Sequence, residues 1–297
     1  MSRAVVLMAP AKVNLTLEVL GPRADGYHEL ASVFATVDLR DRVRVAPSRE
    51  LDVRIAPAVG TAAGDDLASR AVRALADASG RPALAHVRVR KRIPVASGLG
   101  GGSSDAGAVL RGLAKAWRLD GVDLMPVAAR VGSDVPFFVS GAAYALVGGR
   151  GERVEALPAP GSIWIALVQM PQRVPTAEVF RAHRSKPSNG ERTAKLANAL
   201  RDRSATVSVV RGCLHNDLLE AAERVAPAIA DARKTAARMG VALTMSGSGP
   251  SLFALGDDRA HAIRIARRMR RAGFRVRVLP LGVIPWTTSE RGLSPYV

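Results

Sequence analysis

Pro94-Val95-Ala96-Ser97-Gly98-Leu99-Gly100-Gly101-Gly102-Ser103-Ser104-Asp105 lies between a strand predicted around Val87 and Val89 and a helix predicted from Ser103 or Ser104. The helix carries Val109, Leu110, Leu113 and Trp117 at helical spacing. Four of the five residues from Gly98 to Gly102 are glycine. A backbone without Cβ atoms can approach a polyphosphate closely and turn its N–H groups toward it, and the following helix adds the positive end of its dipole. The serine hydroxyls offer hydrogen bonds to phosphate or an oxygen to Mg²⁺. The competing reading is a plain connector in which Ser103 only caps the helix. This is not a Walker loop, because no Gly-Lys-Ser or Gly-Lys-Thr follows, and the glycine spacing does not fit the dinucleotide fingerprint.

Upstream, Val13, Leu15, Leu17 and Val19 alternate with Asn14, Thr16 and Glu18, the pattern of a half-buried strand. The same period puts Lys12 on the side of Asn14, so both can face a cleft while the aliphatic residues face a core. Asp25-Gly26 marks a turn. Further strands are predicted near Val33 to Leu39, Arg42 to Ala46 and Leu51 to Ile55, then a helix over Leu67 to Ala78. Downstream, a helix over Asp123 to Val131 stops at Gly132. Strands near Ala143 to Val147 and Ile163 to Val168 bracket Leu157 to Gly161, where Pro158, Pro160 and Gly161 concentrate. That cluster divides the chain into residues 1–157 and 158–297.

Residues 181–206 are basic, polar and weakly periodic, which predicts a surface helix or mobile excursion. Helices near Asp217 to Val225 and Pro227 to Met239, a strand over Val241 to Met245, the loop Ser246 to Pro250, a strand over Ser251 to Leu255, a helix over Ala260 to Ala272 and a strand over Phe274 to Leu279 follow. This order predicts an α+β sandwich with helices on one face of an antiparallel sheet.

The chain has 297 residues, 48% of them hydrophobic, enough for a full core without staples. Its single cysteine, Cys213, cannot form an internal disulfide and fits a reducing compartment. The apolar run Ala4 to Ala9 behind Arg3 imitates a signal peptide, but it is short and leads into strand-like alternation, so the cytoplasm is expected. No stretch approaches the roughly 18 apolar residues of a membrane span. The net charge of +17 raises nucleic acid as a partner. Against this, the positive charge is nearly all arginine scattered along an alanine-rich chain, with only 4% aromatic residues for stacking.

Two further segments extend the reading of the glycine loop. Pro10-Ala11-Lys12-Val13-Asn14-Leu15 stands near the start, and Ser246-Gly247-Ser248-Gly249-Pro250-Ser251 lies between two strands. In this order the three segments resemble the three motifs of the GHMP kinases, the superfamily of galactokinase, homoserine kinase, mevalonate kinase and phosphomevalonate kinase, across nearly the whole chain. Arg23-Ala24-Asp25-Gly26-Tyr27-His28-Glu29-Leu30, Gly132-Ser133-Asp134-Val135-Pro136-Phe137-Phe138 and, more weakly, Val174-Pro175-Thr176 with Phe180 resemble the branch that phosphorylates cytidine diphosphate methylerythritol on the non-mevalonate route to isoprenoids.

The resemblance implies a two-domain α+β fold, with a ribosomal-protein-S5-like N-terminal domain, a ferredoxin-like α/β sandwich after it, and the active site in the cleft between them. It implies ATP and Mg²⁺ as cofactors and the cytidine diphosphate compound as the small-molecule partner, with no nucleic acid, no membrane, and a monomer or weak homodimer. Carried over by residue, Asp134 accepts the proton of the substrate hydroxyl beside Lys12. Pro94, Gly98, Leu99, Gly100, Gly101, Gly102, Ser103 and Ser104 hold ATP, with Ser104 the candidate for the metal. Tyr27, His28 and Phe180 surround the cytosine, Asn14 assists, and Gly247, Ser248 and Gly249 form the third glycine motif. Read from the residues alone, Asp134 is equally a helix N-cap before Pro136, Lys12 a solvated strand lysine, Tyr27 turn packing and His28 a surface histidine. Ala96 and Ser97 stand where the superfamily favours glycine, and Asp66 where it has an asparagine near the adenine. The alternatives are a GHMP kinase of the homoserine or mevalonate type, and an RNA-binding module.

Overall fold

The alternation around Val13 belongs to a much longer element in the computed structural model, which describes residues 4–58, 60, 64–284 and 286. Arg3 of the leader-like stretch lies outside them. β1 (Val5–Pro22) and β2 (His28–Pro47) form one antiparallel hairpin, with Val5 opposite Val45 and Pro22 opposite His28. The two strands expected between Val33 and Ala46 are therefore continuous. The pairing shifts register between Pro10 and Ala11, an irregularity of the kind that bends a strand without ending it. β3 (Asp52–Ala56) runs parallel to β4 (Ala85–Arg90), and β4 pairs with the second half of β2. The first half of β2 pairs with β5 (Tyr144–Gly149), which pairs with β6 (Arg153–Leu157).

Helices cover the end of this sheet that β3 and β4 complete. α1 (Leu67–Ser79) presents Ala68, Ala71, Val72, Leu75 and Ala76 as a buried stripe and ends at Gly80 in the left-handed conformation that glycine tolerates. α2 (Gly101–Trp117) and α3 (Leu124–Val131) bury Val109, Leu110, Leu113, Val127 and Val131 in the same core, against Val43, Val45, Val87 and Val89 of the sheet. α4 (Val135–Ser140) is the short helix that the N-cap reading of Asp134 allowed, entered through Pro136.

β7 (Trp164–Gln169) opens a second sheet. After it come α5 (Thr176–Ala182), α6 (Glu191–Arg201), α7 (Val207–Cys213), β8 (His215–Asn216), α8 (Leu219–Val225), α9 (Ala228–Arg238), β9 (Thr244–Met245), β10 (Leu252–Gly256), α10 (Arg259–Arg271) and β11 (Arg275–Pro280). The four-stranded sheet has the order β11-β7-β10-β9, antiparallel throughout. Along β7, Ala166 and Val168 pack toward Ala232, Ala236, Ile265 and Met269 of α9 and α10. Ile165 and Leu167 face the opposite way and join Val13, Leu15, Val33 and Val37 of the first hairpin. Both faces of the second sheet are thus buried, one under helices and one against the first sheet. β8 returns to the first sheet and pairs parallel with β1.

The weakly periodic segment holds the expected surface helix rather than the mobile excursion, and that helix packs firmly along one face. α6 buries Thr193, Leu196, Ala197 and Leu200 and packs on the hairpin, where the Glu18 carboxylate accepts the Thr193 N–H at 2.8 Å in the first turn of the helix. No helix among the described residues is long and apolar enough to cross a membrane.

Candidate active site

β1 is buried on both faces, so the polar face expected to meet solvent meets protein instead. Thr16 and Glu18 face α6, the Thr16 hydroxyl lying 2.9 Å from that of Thr193. Lys12 and Asn14 face the cleft. The Lys12 ammonium donates to Asn14 Oδ1 at 2.7 Å, lies 4.4 Å from the centroid of the Phe34 ring, and stands 3.3 Å from Asp134 Oδ2. A lysine so deeply buried requires these partners to keep its charge. The solvated-lysine reading fails.

Asp134 occupies the N-cap position of α4, yet its side chain makes no capping hydrogen bond. Its carboxylate is turned to Lys12 and is about one quarter open to the cleft, 28% by side-chain exposure. Gly151 allows this placement: a Cβ there would lie 2.6 Å from the carbonyl of Ser133.

The glycine loop meets this pair end-on. α2 starts at Gly101, and Gly100, at φ +69°, is its N-cap without any side chain to occupy the first N–H groups. Those amides have no partner inside the helix and are available to an anion. Lys12 N–H donates to Leu99 O at 2.9 Å, and a Cβ on Gly100 would lie 3.0 Å from both Lys12 Cγ and Phe138 Cζ. Pro94, Gly98, Gly100, Gly101, Gly102 and Ser103 line the cleft. Leu99 is buried beneath it, and Ser104 is fully buried with a hydroxyl that has no partner.

The third glycine segment locks onto the first two. Ser246 Oγ donates to Gly98 O at 2.9 Å, Gly247 N–H donates to Asn14 Oδ1 at 2.9 Å, and Asn14 N–H donates to Ser246 Oγ at 3.3 Å across 232 residues of sequence. A Cβ on Gly98 would come within 2.1 Å of Ser246 O. Gly247 and Ser248 line the cleft, while Gly249 packs on Met245 and Ile229. Asn216 Oδ1 accepts Leu218 N–H at 2.9 Å at the entry to α8. Its Nδ2 also donates to Met245 O and Gly247 O at 2.9 and 2.8 Å, holding the third segment in place.

At the far end of the cleft, His28 from the β1–β2 hairpin and Phe180 from α5 bring their rings to 5.3 Å with a 30° tilt. Tyr27 is half exposed and stands over the Arg150 guanidinium at 5.0 Å. Ser248 Oγ and Thr176 Oγ1 share a hydrogen bond of 2.8 Å that ties α5 to the third glycine segment. The opposite end is formed by Ile55, Asp65, Asp66 and Leu67, where Asp66 caps α1 by accepting from Ser69 N–H and Oγ at 2.9 and 2.7 Å. The whole cleft has a volume of about 980 Å³.

One cluster escaped the reading of the sequence. Lys91 donates to Asp41 Oδ2 at 2.5 Å and to Asp105 Oδ2 at 2.6 Å, all three nearly sealed from solvent. Asp41 Oδ1 also accepts the N–H groups of Arg92 and Ile93. The triad therefore fastens β2, the end of β4 and the first turns of α2 directly below the glycine loop. Burial drives the Asp105 carboxyl up to about 8, against the pull of Lys91 and helped by the neighbouring charge of Asp41, and its Oδ1 has no partner. The signal was present in the alternation: Lys91 continues the buried face of Val87 and Val89, Asp41 that of Leu39 and Val43, and Asp105 the helical face of Val109 and Leu113.

Comparison with known proteins gives a consistent result. Residues 66–142 match the model of the GHMP kinases N terminal domain and residues 196–275 that of the GHMP kinases C terminal domain. The chain is 37% identical over 281 residues to a 4-diphosphocytidyl-2-C-methyl-D-erythritol kinase of Pelotomaculum thermopropionicum, covering 92% of this chain and 96% of that one. It is 40% identical over 271 residues to the kinase of that name from Gloeobacter violaceus, covering 88% of each. A crystal structure of 4-(cytidine 5'-diphospho)-2C-methyl-D-erythritol kinase superposes with a TM-score of 0.72 at 35% identity, covering 94% of this chain and 99% of the other. A homoserine kinase from Cytophaga hutchinsonii superposes with a TM-score of 0.71 at only 19% identity over 96% of each chain, a likeness of fold alone.

Proposed function

Because the chain belongs to the 4-diphosphocytidyl-2-C-methyl-D-erythritol kinases of the GHMP superfamily, we propose that its cleft works as the active site of that reaction, with Lys12 and Asp134 as the catalytic pair. The protein is an ATP-dependent small-molecule kinase that phosphorylates the 2-hydroxyl of 4-diphosphocytidyl-2-C-methyl-D-erythritol, giving the 2-phosphate and ADP in the methylerythritol phosphate route to isoprenoid precursors. The observation that carries the assignment of the pair is the Asp134 carboxylate, which leaves its own helix uncapped to face Lys12 at 3.3 Å beside the open N-terminus of α2.

In this reading the ATP phosphates lie against the amides from Gly98 to Ser103, with the adenosine toward Leu67 and Ile55. Tyr27, His28 and Phe180 surround the cytosine in this reading: a flat base presents an apolar face to the aromatic rings and polar edges to a ring nitrogen. The acceptor hydroxyl then falls between the two ends, at Asp134. As its oxygen attacks the terminal phosphorus, the proton passes to the Asp134 carboxylate, and the Lys12 ammonium offsets negative charge on the oxygens in transit. Phosphoryl transfer relies on such positioning and charge compensation more than on covalent chemistry. Asn14 holds Lys12 and the third glycine segment at once, so the cation cannot drift from the loop.

Mg²⁺ accompanies the nucleotide in this proposal, and its chemistry there is the neutralisation of phosphate charge. The two oxygens at the start of α2 without partners, Ser104 Oγ and Asp105 Oδ1, are hard donors that fit it. We place the domain division at Leu157, where β6 ends and the chain passes to the second sheet at Trp164, and the protein in the cytoplasm as a monomer or weak homodimer.

The test is direct. Protein mixed with ATP, Mg²⁺ and the cytidine diphosphate substrate should release ADP and yield the 2-phosphate by phosphorus NMR, with no turnover on homoserine or mevalonate. Turnover on either acid without the cytidine compound would assign the cleft to another reaction.

A further inference from the structure

Five side chains that carry or can carry positive charge line the cleft: Lys12, His28, Lys91, Arg150 and Arg181. Lys12 is engaged with Asn14 and Asp134, and Lys91 with two carboxylates. Arg150 differs. It sits in the turn between β5 and β6, among Asp25, Glu29 and Glu152, yet none of these carboxylates pairs with its guanidinium. Glu29 takes Arg23 at 2.6 Å, Arg153, and the Gly149 N–H at 3.2 Å. Asp25 takes Arg23 at 3.2 Å. Glu152 takes Arg23 at 4.0 Å and the backbone N–H of Arg150 at 2.7 Å. Among the described residues the Arg150 guanidinium has no carboxylate within ion-pair distance. It is held by one N–H donated to Ala129 O at 3.1 Å and by the face of Tyr27 at 5.0 Å.

The position of this cation is as informative as its lack of a counter-charge. Its neighbour Gly151 packs on the carbonyl of Ser133, immediately before Asp134, while its head lies over Tyr27, immediately before His28. Arg150 thus spans the interval between the residues proposed to hold the reacting hydroxyl and those proposed to hold the cytosine. In the substrate that interval is the diphosphate. In the functional reading the ATP phosphates have the N-terminus of α2. A guanidinium offers five N–H donors in a planar fork that matches phosphate oxygens, and only one is in use here.

Resting on the functional reading above, we propose that Arg150 binds the diphosphate of the cytidine substrate and so makes the cleft specific for a nucleoside diphosphate rather than a nucleoside. Its anchorage on Ala129 and Tyr27 presets the fork before the ligand arrives. Arg181, on α5, is exposed and donates within its own helix to Ala177 O, so its charge is screened by water and contributes less.

The experiment compares wild type, R150M, R150K and R181M. In R150M the KM for the cytidine diphosphate substrate rises by about 10- to 100-fold, the cost of a lost charge-assisted contact, while kcat stays within about threefold and the KM for ATP is unchanged. In calorimetry, wild type binds CDP more tightly than cytidine and R150M loses that preference. R150K, which keeps the charge without the fork, recovers part of the loss and also serves if R150M folds poorly. An unchanged substrate KM in R150M or R150K, an equal rise in the KM for ATP, or a larger effect from R181M overturns the assignment of Arg150 while leaving the kinase reading intact. Failure of the wild type to phosphorylate the cytidine diphosphate substrate would overturn the kinase reading itself, and this proposal with it.

Discussion

Two lysine–aspartate clusters touch neighbouring glycines of the same loop, and they do opposite work. Lys12 passes Gly100 and faces Asp134 at 3.3 Å, with side-chain exposures of 4% and 28%. Lys91 passes Gly101 and closes on Asp41 and Asp105 at 2.5 and 2.6 Å, with exposures of 5%, 0% and 5%. The chemical types are identical. What separates them is the exposed carboxylate: Asp134 is about one quarter open to the cleft, whereas Asp41 and Asp105 are held by Lys91 and almost closed to solvent. In the proposed reading the closed cluster fixes geometry and the open one performs the chemistry. The closed triad gives α2 a rigid seat, and the open pair uses the N-terminus that this seat holds still.

The sharpest division would come from substitutions that separate activity from stability. D134N and K12M should lower kcat by about 10²- to 10⁴-fold, the usual worth of a positioned proton acceptor and of an electrostatic partner at the reacting oxygens, with melting temperatures close to wild type. Retention of a tenth or more of the activity by D134N would erase the distinction between the clusters. K91M should act the other way. Removing the cation strands two buried carboxyls, and chemical denaturation should show a loss of about 3–5 kcal/mol of unfolding free energy. If K91M proves as stable as wild type, the triad is not the seat of α2.

A pH series sharpens the same contrast. In the folded chain Asp105 keeps its proton up to about 8, whereas an unfolded chain releases it near about 4. Between those values the native state binds the extra proton, so this group's contribution to unfolding free energy should fall as pH rises and be gone above the folded value. D105N, which mimics the protonated form, should remove that slope, and identical slopes in the two proteins would contradict it. The smallest effect belongs to the loop entrance. Ala96 has φ +51°, a left-handed conformation costing a non-glycine residue about 1–2 kcal/mol. A96G relieves that strain but loosens the unfolded chain by about 0.4–1 kcal/mol, so the net gain should stay below about 1 kcal/mol in thermal melts. A destabilised A96G would mean that the Ala96 methyl supports the loop.

Much of the architecture was legible. The helical stripe of Leu67 to Ala78 reflects one-sided burial, which writes itself into sequence spacing, and the period of two in Val13 to Val19 reflects an apolar face set against a polar one, although both are buried. The segment at 181–206 was not legible as a packed element, because α6 rests partly on polar neighbours: Thr193 on Thr16 and Glu18 replaces the apolar contacts that would have shown as periodicity. Lys91, Asp41 and Asp105 stood in plain view as charges on apolar faces, but only their meeting explains each of them.

From the order of its residues this chain determined its strands, its main helices, the glycine-rich entry to α2 and the segments that mark its family, since these follow from local spacing and backbone freedom. Only the tertiary structure decided which charges stand open to the cleft and which are closed into a brace. Asp134 could cap its helix or face Lys12, and Arg150 could pair with Glu29 or stay unpaired. Such choices are set by burial and by partners more than a hundred residues away, where electrostatic strength depends on distance and exclusion of water that no stretch of sequence contains.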